Sequence, residues 1–267
     1  MAERAFDVRR QRGFTTIAVL CFVALYAPMV MLVFYAFNAG NSLSDWQGFS
    51  LRWFVSAFSN TQVIDASIRS VQIASVAAVI STVAATMAAL ATTRTPPYPG
   101  LTFKYAFINQ PLMVPEIVTA VALLIFFAQI KVATGYAGLG YLIAAHTAFC
   151  VPFAYLPIRA RLENMDLTLE RAAADLYATP LKTFRYVTLP LLWPGVLAGL
   201  MLAFVISLDD VVITNFVKSG GQDTLPTYIL GQIRRQVTPE MNAISTAFLL
   251  LSILIVTLFF LMAKRRA

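Results

Sequence analysis

The sequence predicts an all-α, polytopic membrane protein with six transmembrane helices, and three observations carry that reading. Of the 267 residues, 59% are apolar and only 12% are charged, against about 25% charged in a soluble globular domain. The mean hydropathy is +0.73. The apolar residues fall into six windows of roughly 20 residues, the length that crosses a hydrocarbon core about 30 Å thick. None of the windows shows the short alternating segments of a barrel strand. Because backbone amides in lipid must be paired within their own segment, each window reads as a helix.

The first span, about 14–37, follows Arg4, Arg9, Arg10 and Arg12. It exceeds the roughly 7–15 residues of a cleavable signal core and is expected to be a retained anchor. Trp46, Phe49, Trp53, Phe54 and Phe58 follow in the loop from Asn38 to Asp65, where aromatics form an interfacial belt by default and also offer faces to a cation. The second span is about 67–92. The third, about 104–130, starts near Pro111 and Pro115, the fourth is about 138–159, and the fifth, about 187–215, starts near Pro190 and Pro194. Prolines there start or kink a span without destroying it. The sixth is about 242–263. Between the fourth and fifth, the polar stretch of about 162–186 predicts a short amphipathic surface helix, a turn near Thr179–Pro180 and a second short helix, a pair suited to docking a soluble partner. No repeat interrupts what reads as a single transmembrane domain over 1–267.

Six spans put both ends on one side. Fourteen Lys and Arg fall in the amino end, the Thr93–Lys104 loop, the Ile158–Tyr186 segment and the tail, against six on the other side (Arg52, Arg69, Lys131, Lys218, Arg234, Arg235). By the positive-inside rule both termini and the 158–186 segment are cytoplasmic. The net charge of +7 is thereby a matter of topology and requires no nucleic acid. Cys21 and Cys150 lie far apart in apolar runs without metal-ligand spacing and read as packing residues.

Of thirteen acidic residues, Glu116, Asp209 and Asp210 fall inside apolar spans. A carboxylate at mid-bilayer costs roughly 2.5–3.5 kcal/mol even on the lenient scale, so it faces a bundle interior or water and needs a partner. No Lys or Arg lies deep within a span to supply one, Arg69, Lys104 and Arg159 standing at span edges, which leaves another subunit, a proton or a cationic guest; an amine is the favoured guest. Adjacent helical residues point about 100° apart, so both aspartates face one path only if the helix opens locally or they face different subunits. Ser207 shares the face of Asp210. His146, the only histidine, reads as hydrogen-bonded to a neighbouring helix rather than as a proton relay.

The segment Glu170-Arg-Ala-Ala-Ala-Asp175-Leu-Tyr-Ala-Thr-Pro180, followed by Leu189-Pro190 and Pro194-Gly195, resembles the EAA loop of permease subunits of bacterial ABC importers. Further marks are similar to the permeases of spermidine and putrescine importers across nearly the whole chain: Tyr26-Ala-Pro28, Phe37-Asn38, Trp46-Gln-Gly-Phe49 with Arg52-Trp53, His146-Thr-Ala-Phe-Cys150, Ser207-Leu-Asp-Asp210-Val-Val-Ile213 and Thr238-Pro-Glu-Met-Asn-Ala243. The resemblance implies a type I ABC importer permease fold with cytoplasmic coupling helices. It implies polyamine contacts at Trp53, Glu116, Ser207, Asp209 and Asp210, and an ATPase-coupling element at Glu170, Arg171, Ala172, Ala173, Asp175, Leu176, Tyr177 and Pro180. It implies as partners a second homologous permease, a cytoplasmic ATPase dimer carrying the ATP and Mg²⁺, a periplasmic polyamine-binding protein and membrane lipid, with no cofactor on this chain. Two positions depart from the pattern: Arg171 stands where the loop's glutamate is usual, and Tyr177 where its glycine is.

No Gly-x-x-x-x-Gly-Lys-Ser/Thr pattern occurs, so the chain cannot itself cradle ATP phosphates. A proton-coupled secondary amine transporter is a competing expectation, since intramembrane carboxylates also serve proton coupling. An intramembrane enzyme holding Mg²⁺ on Asp209 and Asp210 would need further carboxylates one turn away; Val211, Val212 and Ile213 follow instead.

Overall fold

The computed structural model describes residues 13–43, 45–96, 98–136, 138–235 and 238–264, with side chains through 261. The orientation-setting Arg4, Arg9, Arg10, Arg12, Arg265 and Arg266, and the side chain of Lys264, lie outside the described residues. Six helices are long and apolar enough to cross a membrane, and among the described residues the only extended pairing is a bridge between Asn38 and Phe49. The chain forms two compact units, one through Asn60 with Gln232–Leu249, the other Thr61–Gly231 with the chain from Leu250 on. Helices α12 (Leu225–Arg235) and α13 (Pro239–Lys264) contribute to both.

In the first unit, α1 (Phe14–Tyr35) has no buried residue, as expected of a span facing apolar surroundings on all sides. The chain then turns on Asn38, which is wholly buried. Its Nδ2 donates to the carbonyls of Ser42 (3.0 Å) and Asp45 (2.8 Å), and its Oδ1 accepts the amides of Gly40 (3.3 Å) and Gln47 (2.8 Å). One side chain thus satisfies four backbone groups of the loop that leads to α2 (Arg52–Ser59).

In the second unit, α3 (Thr61–Thr93), α7 (Gly140–Glu163) and α10 (Leu189–Asp209) form the core. The buried face of α3 carries Ala66, Ser70, Ala74, Ala77, Ser81, Ala85 and Ala89, a three-to-four-residue spacing of small side chains that admits close helix contact where lipid offers no hydrophobic drive. On α10 a Cβ at Gly199 would lie 2.7 Å from the Ala154 carbonyl oxygen of α7, and one at Gly195 would lie 2.7 Å from Arg161 Cβ. These two glycines therefore let α10 cross α7 almost backbone to backbone. The buried Tyr155 hydroxyl lies 2.9 Å from Thr92 Oγ1, joining α7 to α3, and Cys150 Sγ donates to the Ala203 carbonyl at 3.4 Å.

Two spans differ from the sequence expectation. The third is not one helix over 104–130 but α4 (Leu101–Ile108), α5 (Gln110–Met113) and α6 (Glu116–Thr134). Pro115 lacks an amide and forces Val114 into extended backbone (φ −99°, ψ 138°), ending one helix and starting the next. The fifth stops at Asp209, Asp210 is extended (φ −65°, ψ 130°), and α11 (Val212–Val217) follows. Between these spans α8 (Thr168–Asp175) and α9 (Pro180–Thr183) form the amphipathic pair. The second of the pair runs through a π-helical turn, Phe184–Thr188, directly into α10.

Candidate transport pathway and coupling loop

The break after α10 is organised by Asp210. Its Oδ1 accepts the Ile213 amide at 3.2 Å, and its Oδ2 accepts the Thr214 amide at 2.8 Å and the Thr214 hydroxyl at 2.7 Å, so this carboxylate caps the first turn of α11. His146 of α7 lies beneath it, with Nε2 2.9 Å from Thr214 Oγ1 and 3.4 Å from Asp210 Oδ2, and Nδ1 2.7 Å from Ser207 Oγ. Because the Thr214 proton is given to Asp210, Thr214 Oγ1 accepts from His146 Nε2–H, and in the neutral tautomer Nδ1 then accepts the Ser207 proton. Ser207, His146, Thr214 and Asp210 are all buried. The expectation that Asp210 lacks a partner within its own chain is thereby corrected: hydroxyl, imidazole and helix-end amides take the place of Lys or Arg.

Glu116 occupies the first turn of α6, so it too sits at a helix N-terminus, where the peptide dipoles favour negative charge. Its charge acts on that of Asp210, and two carboxylates that feel one another repel unless a proton or a cation lies between them. Asp209, one residue earlier, is exposed and makes no hydrogen bond or ion pair among the described residues. The local opening required for both aspartates to serve one path is present, yet the two point apart, Asp210 inward and Asp209 outward. At the far end of α6 Lys131 Nζ meets Ser219 Oγ at 2.7 Å, and at 1.5 Å per residue Glu116 lies about 22 Å along the axis from Lys131.

Trp53 belongs to the other unit. Its indole Nε1 donates to the carbonyls of Asn38 (3.0 Å) and Gly40 (3.3 Å), and the Arg52 guanidinium lies 4.2 Å above its ring. Within its unit the indole therefore closes the Asn38 loop, which accounts for the joint presence of Phe37-Asn38 and Arg52-Trp53.

In the 162–186 loop, Glu170 faces inward. Arg94 Nε lies 3.2 and 3.1 Å from its two carboxylate oxygens, Thr188 Oγ1 donates to Oε1 at 3.0 Å, and Arg94 Nη1 reaches the Leu162 carbonyl at 3.1 Å. One carboxylate thus ties α8 to the end of α3 and to the start of α10. Ala173 is buried beneath α8, whereas Arg171, Ala172, Asp175, Leu176, Tyr177 and Pro180 are exposed. Tyr177 has φ +60°. Its amide donates to Ala174 O (2.9 Å) and that of Ala178 to Ala173 O (3.0 Å), the paired bonds of a Schellman end in which glycine is the unstrained choice. The turn keeps its left-handed form despite the tyrosine. At the other end of α8, the Thr168 amide donates to Asp166 at 2.9 Å and holds that exposed carboxyl below the usual range.

Sequence reasoning missed Thr214, Arg94 and Thr188. The Asp210-x-x-x-Thr214 spacing ahead of a short helix is a local capping signal; Arg94 and Glu170, 76 positions apart, leave no local one.

Carboxylates set at breaks in a bundle of apolar spans, with an amphipathic loop tied to its core, are the arrangement a transport permease subunit needs, and the family match makes that class the chain's own. The chain belongs to the family described as "Binding-protein-dependent transport system inner membrane component", which it matches over residues 101–265; it is a multi-pass inner-membrane protein. It is 36% identical over 236 residues to the putrescine transport system permease protein PotI of Escherichia coli K12, covering 87% of this chain and 84% of that one. To the spermidine/putrescine transport system permease protein PotC of Haemophilus influenzae it is 35% identical, covering 90% and 92%. Solved folds agree: a bacterial ABC transporter chain involved in alginate import superposes with TM-score 0.75 at 17% identity, covering 95% of this chain and 96% of that one. A chain of the MetNI methionine ABC transporter gives 0.66 at 17%, covering 76% and 95%.

Proposed function

We propose that this chain is the permease subunit of an ATP-driven ABC importer that moves polyamines, putrescine or spermidine, from periplasm to cytoplasm by alternating access. The observation that carries the substrate class is the placement of Glu116, Asp209 and Asp210 at breaks in the apolar spans, in a chain whose relatives are permeases of putrescine and spermidine systems. A polyamine presents ammonium groups that such carboxylates neutralise in a medium where unpaired charge is costly. Asp209 and Glu116 are the contacts with oxygens free of internal donors; Asp210 contributes charge from a fixed position, with Ser207 holding the histidine behind it.

Both termini and the 162–186 loop face the cytoplasm. Arg171, Ala172, Ala173, Asp175, Leu176, Tyr177 and Pro180 form the element that seats in a separate ATPase dimer, where ATP and Mg²⁺ bind, while Glu170 transmits its movement inward through Arg94 and Thr188. A second, homologous permease walls off the exposed Asp209, and a periplasmic binding protein delivers the polyamine. ATP binding closes the dimer and opens the path outward; hydrolysis resets it inward.

The test is uptake of labelled putrescine and spermidine into proteoliposomes holding the four-component complex. Asp209→Asn with Glu116→Gln should abolish uptake, leaving assembly and basal ATP hydrolysis intact, and wild-type uptake should be insensitive to uncouplers. Uptake surviving the double change refutes the site; uptake driven by a proton gradient without ATP refutes the energy source.

A further inference from the structure

Helix α10 ends at Asp209 and α11 begins at Val212, with Asp210 extended between them. The hydrogen-bond ladder of α10 does not run into α11, because the Ile213 and Thr214 amides are taken by the Asp210 carboxylate instead. A six-residue helix joined through Asp210 and Val211 is a hinge unless side chains hold it. His146 spans that joint from α7: its Nδ1 is 2.7 Å from Ser207 Oγ in the last turn of α10, and its Nε2 is 2.9 Å from Thr214 Oγ1 in α11. The imidazole is 1% exposed, and α7 packs along both α3 and α10, so the clasp is mounted on the core of the bundle. Burial of Ile213 and Val217 keeps α11 against its neighbours, but apolar contact is non-directional. Hydrogen bonds to two nitrogens of one rigid ring fix a direction.

We infer that His146 is a positioning residue for polyamine selection: by clasping Ser207 before the break and Thr214 after it, it sets where the Asp209–Asp210 pair presents its charge. This rests on the reading of Glu116, Asp209 and Asp210 as the amine site. Polyamines differ in the number and spacing of ammonium groups along a methylene chain, so a site discriminates among them by where its carboxylates stand. The histidine need not touch the guest, since it acts through Thr214, whose amide and hydroxyl both bond Asp210 Oδ2. Ser207 acts the same way. Its proton is committed to Nδ1 in the tautomer that Thr214 imposes, so its influence on the guest passes through the ring.

The experiment measures KM and maximal rate for labelled putrescine and spermidine in proteoliposomes holding the four-component complex. His146→Leu should change the ratio of the two kcat/KM values at least fivefold, chiefly through KM, and His146→Gln, which keeps a donor and an acceptor, should lie closer to wild type. A merely structural role would lower both maximal rates together and leave the ratio unchanged; that result overturns the proposal. Ser207→Ala should shift the ratio in the same direction, and Ser207→Ala with His146→Leu should shift it no further than His146→Leu alone. Multiplied effects overturn the clasp by making Ser207 an independent contact. Where His146→Leu fails to assemble, Ser207→Ala carries the test, and an unchanged ratio there overturns the proposal. Asp209→Asn with Glu116→Gln separates the two readings. Uptake lost in that pair, with a wild-type ratio in His146→Leu, overturns positioning alone; uptake surviving in that pair overturns the amine site, and positioning falls with it.

Discussion

Replacing Tyr177 with glycine relieves a backbone conformation that the coupling loop holds at a cost. At φ +60° an L-residue is disfavoured by about 1–2 kcal/mol, and its ring, 95% exposed, recovers nothing by packing within the chain. Glycine removes that penalty but adds backbone freedom to the open loop, worth about 0.4–1 kcal/mol. The net gain is roughly 0.5–1 kcal/mol, a two- to fivefold shift in the local opening equilibrium at about 1.4 kcal/mol per tenfold. Amide exchange reads it directly, because the Ala178 amide is protected only by its bond to Ala173 O. In Tyr177→Gly, exchange at Ala178 should slow two- to fivefold after correction for intrinsic rates, while Tyr177→Ala, which keeps the Cβ and loses the ring, should match wild type. Equal exchange in the glycine and alanine variants would refute the reasoning, since the ring and not the backbone would then set the turn.

Gly199→Ala places a methyl 2.7 Å from the Ala154 carbonyl and should destabilise the detergent-solubilised protein by about 1–3 kcal/mol in a thermal melt, whereas Gly231→Ala, with no atom within 4 Å of the new carbon, should not. His146→Phe strands Ser207 and Thr214; since hydrogen bonds within membrane bundles average about 0.6 kcal/mol, the loss should be about 1–2 kcal/mol, with His146→Gln recovering part. The Asp166 carboxyl, held below its usual range by the Thr168 amide, stabilises the first turn of α8 fully above its unfolded value near 3.8 and loses that contribution as pH falls through the lower folded value. Exchange in α8 should therefore quicken at the acid end in wild type, and Asp166→Asn should remove that step.

The spans were legible because lipid leaves the backbone one solution, and twenty apolar residues state it without reference to anything distant. The breaks were less so. Pro115 was readable as a place where a helix starts, but apolar residues on both sides hid the separate helix from Gln110 to Met113. Asp209-Asp210 sat inside a run of uniform hydropathy, and only the capping relation of Asp210 to Thr214 marks where α10 ends. Asn38 and Trp53 stood out by resemblance and acquired a physical role only once folding placed the indole on the Asn38 carbonyl, fifteen positions away. The clasp between Arg94 and Glu170 joins residues 76 positions apart, and no window contains both.

Counting Lys and Arg was the wrong inventory for a buried carboxylate. Asp210 is stabilised by two amides at the start of α11, the Thr214 hydroxyl and an imidazole at 3.4 Å, and Glu116 by the first turn of α6. Helix N-termini carry roughly +0.5 of a charge, so breaking a span favours a carboxylate at the break without committing a cationic side chain. That distinction bears on transport. A lysine in the same place would be a rival ammonium that any incoming amine must displace, whereas the amides of Ile213 and Thr214 hold Asp210 in position without one. The break that costs the fifth span its continuity is thus what supplies Asp210 with its amide donors.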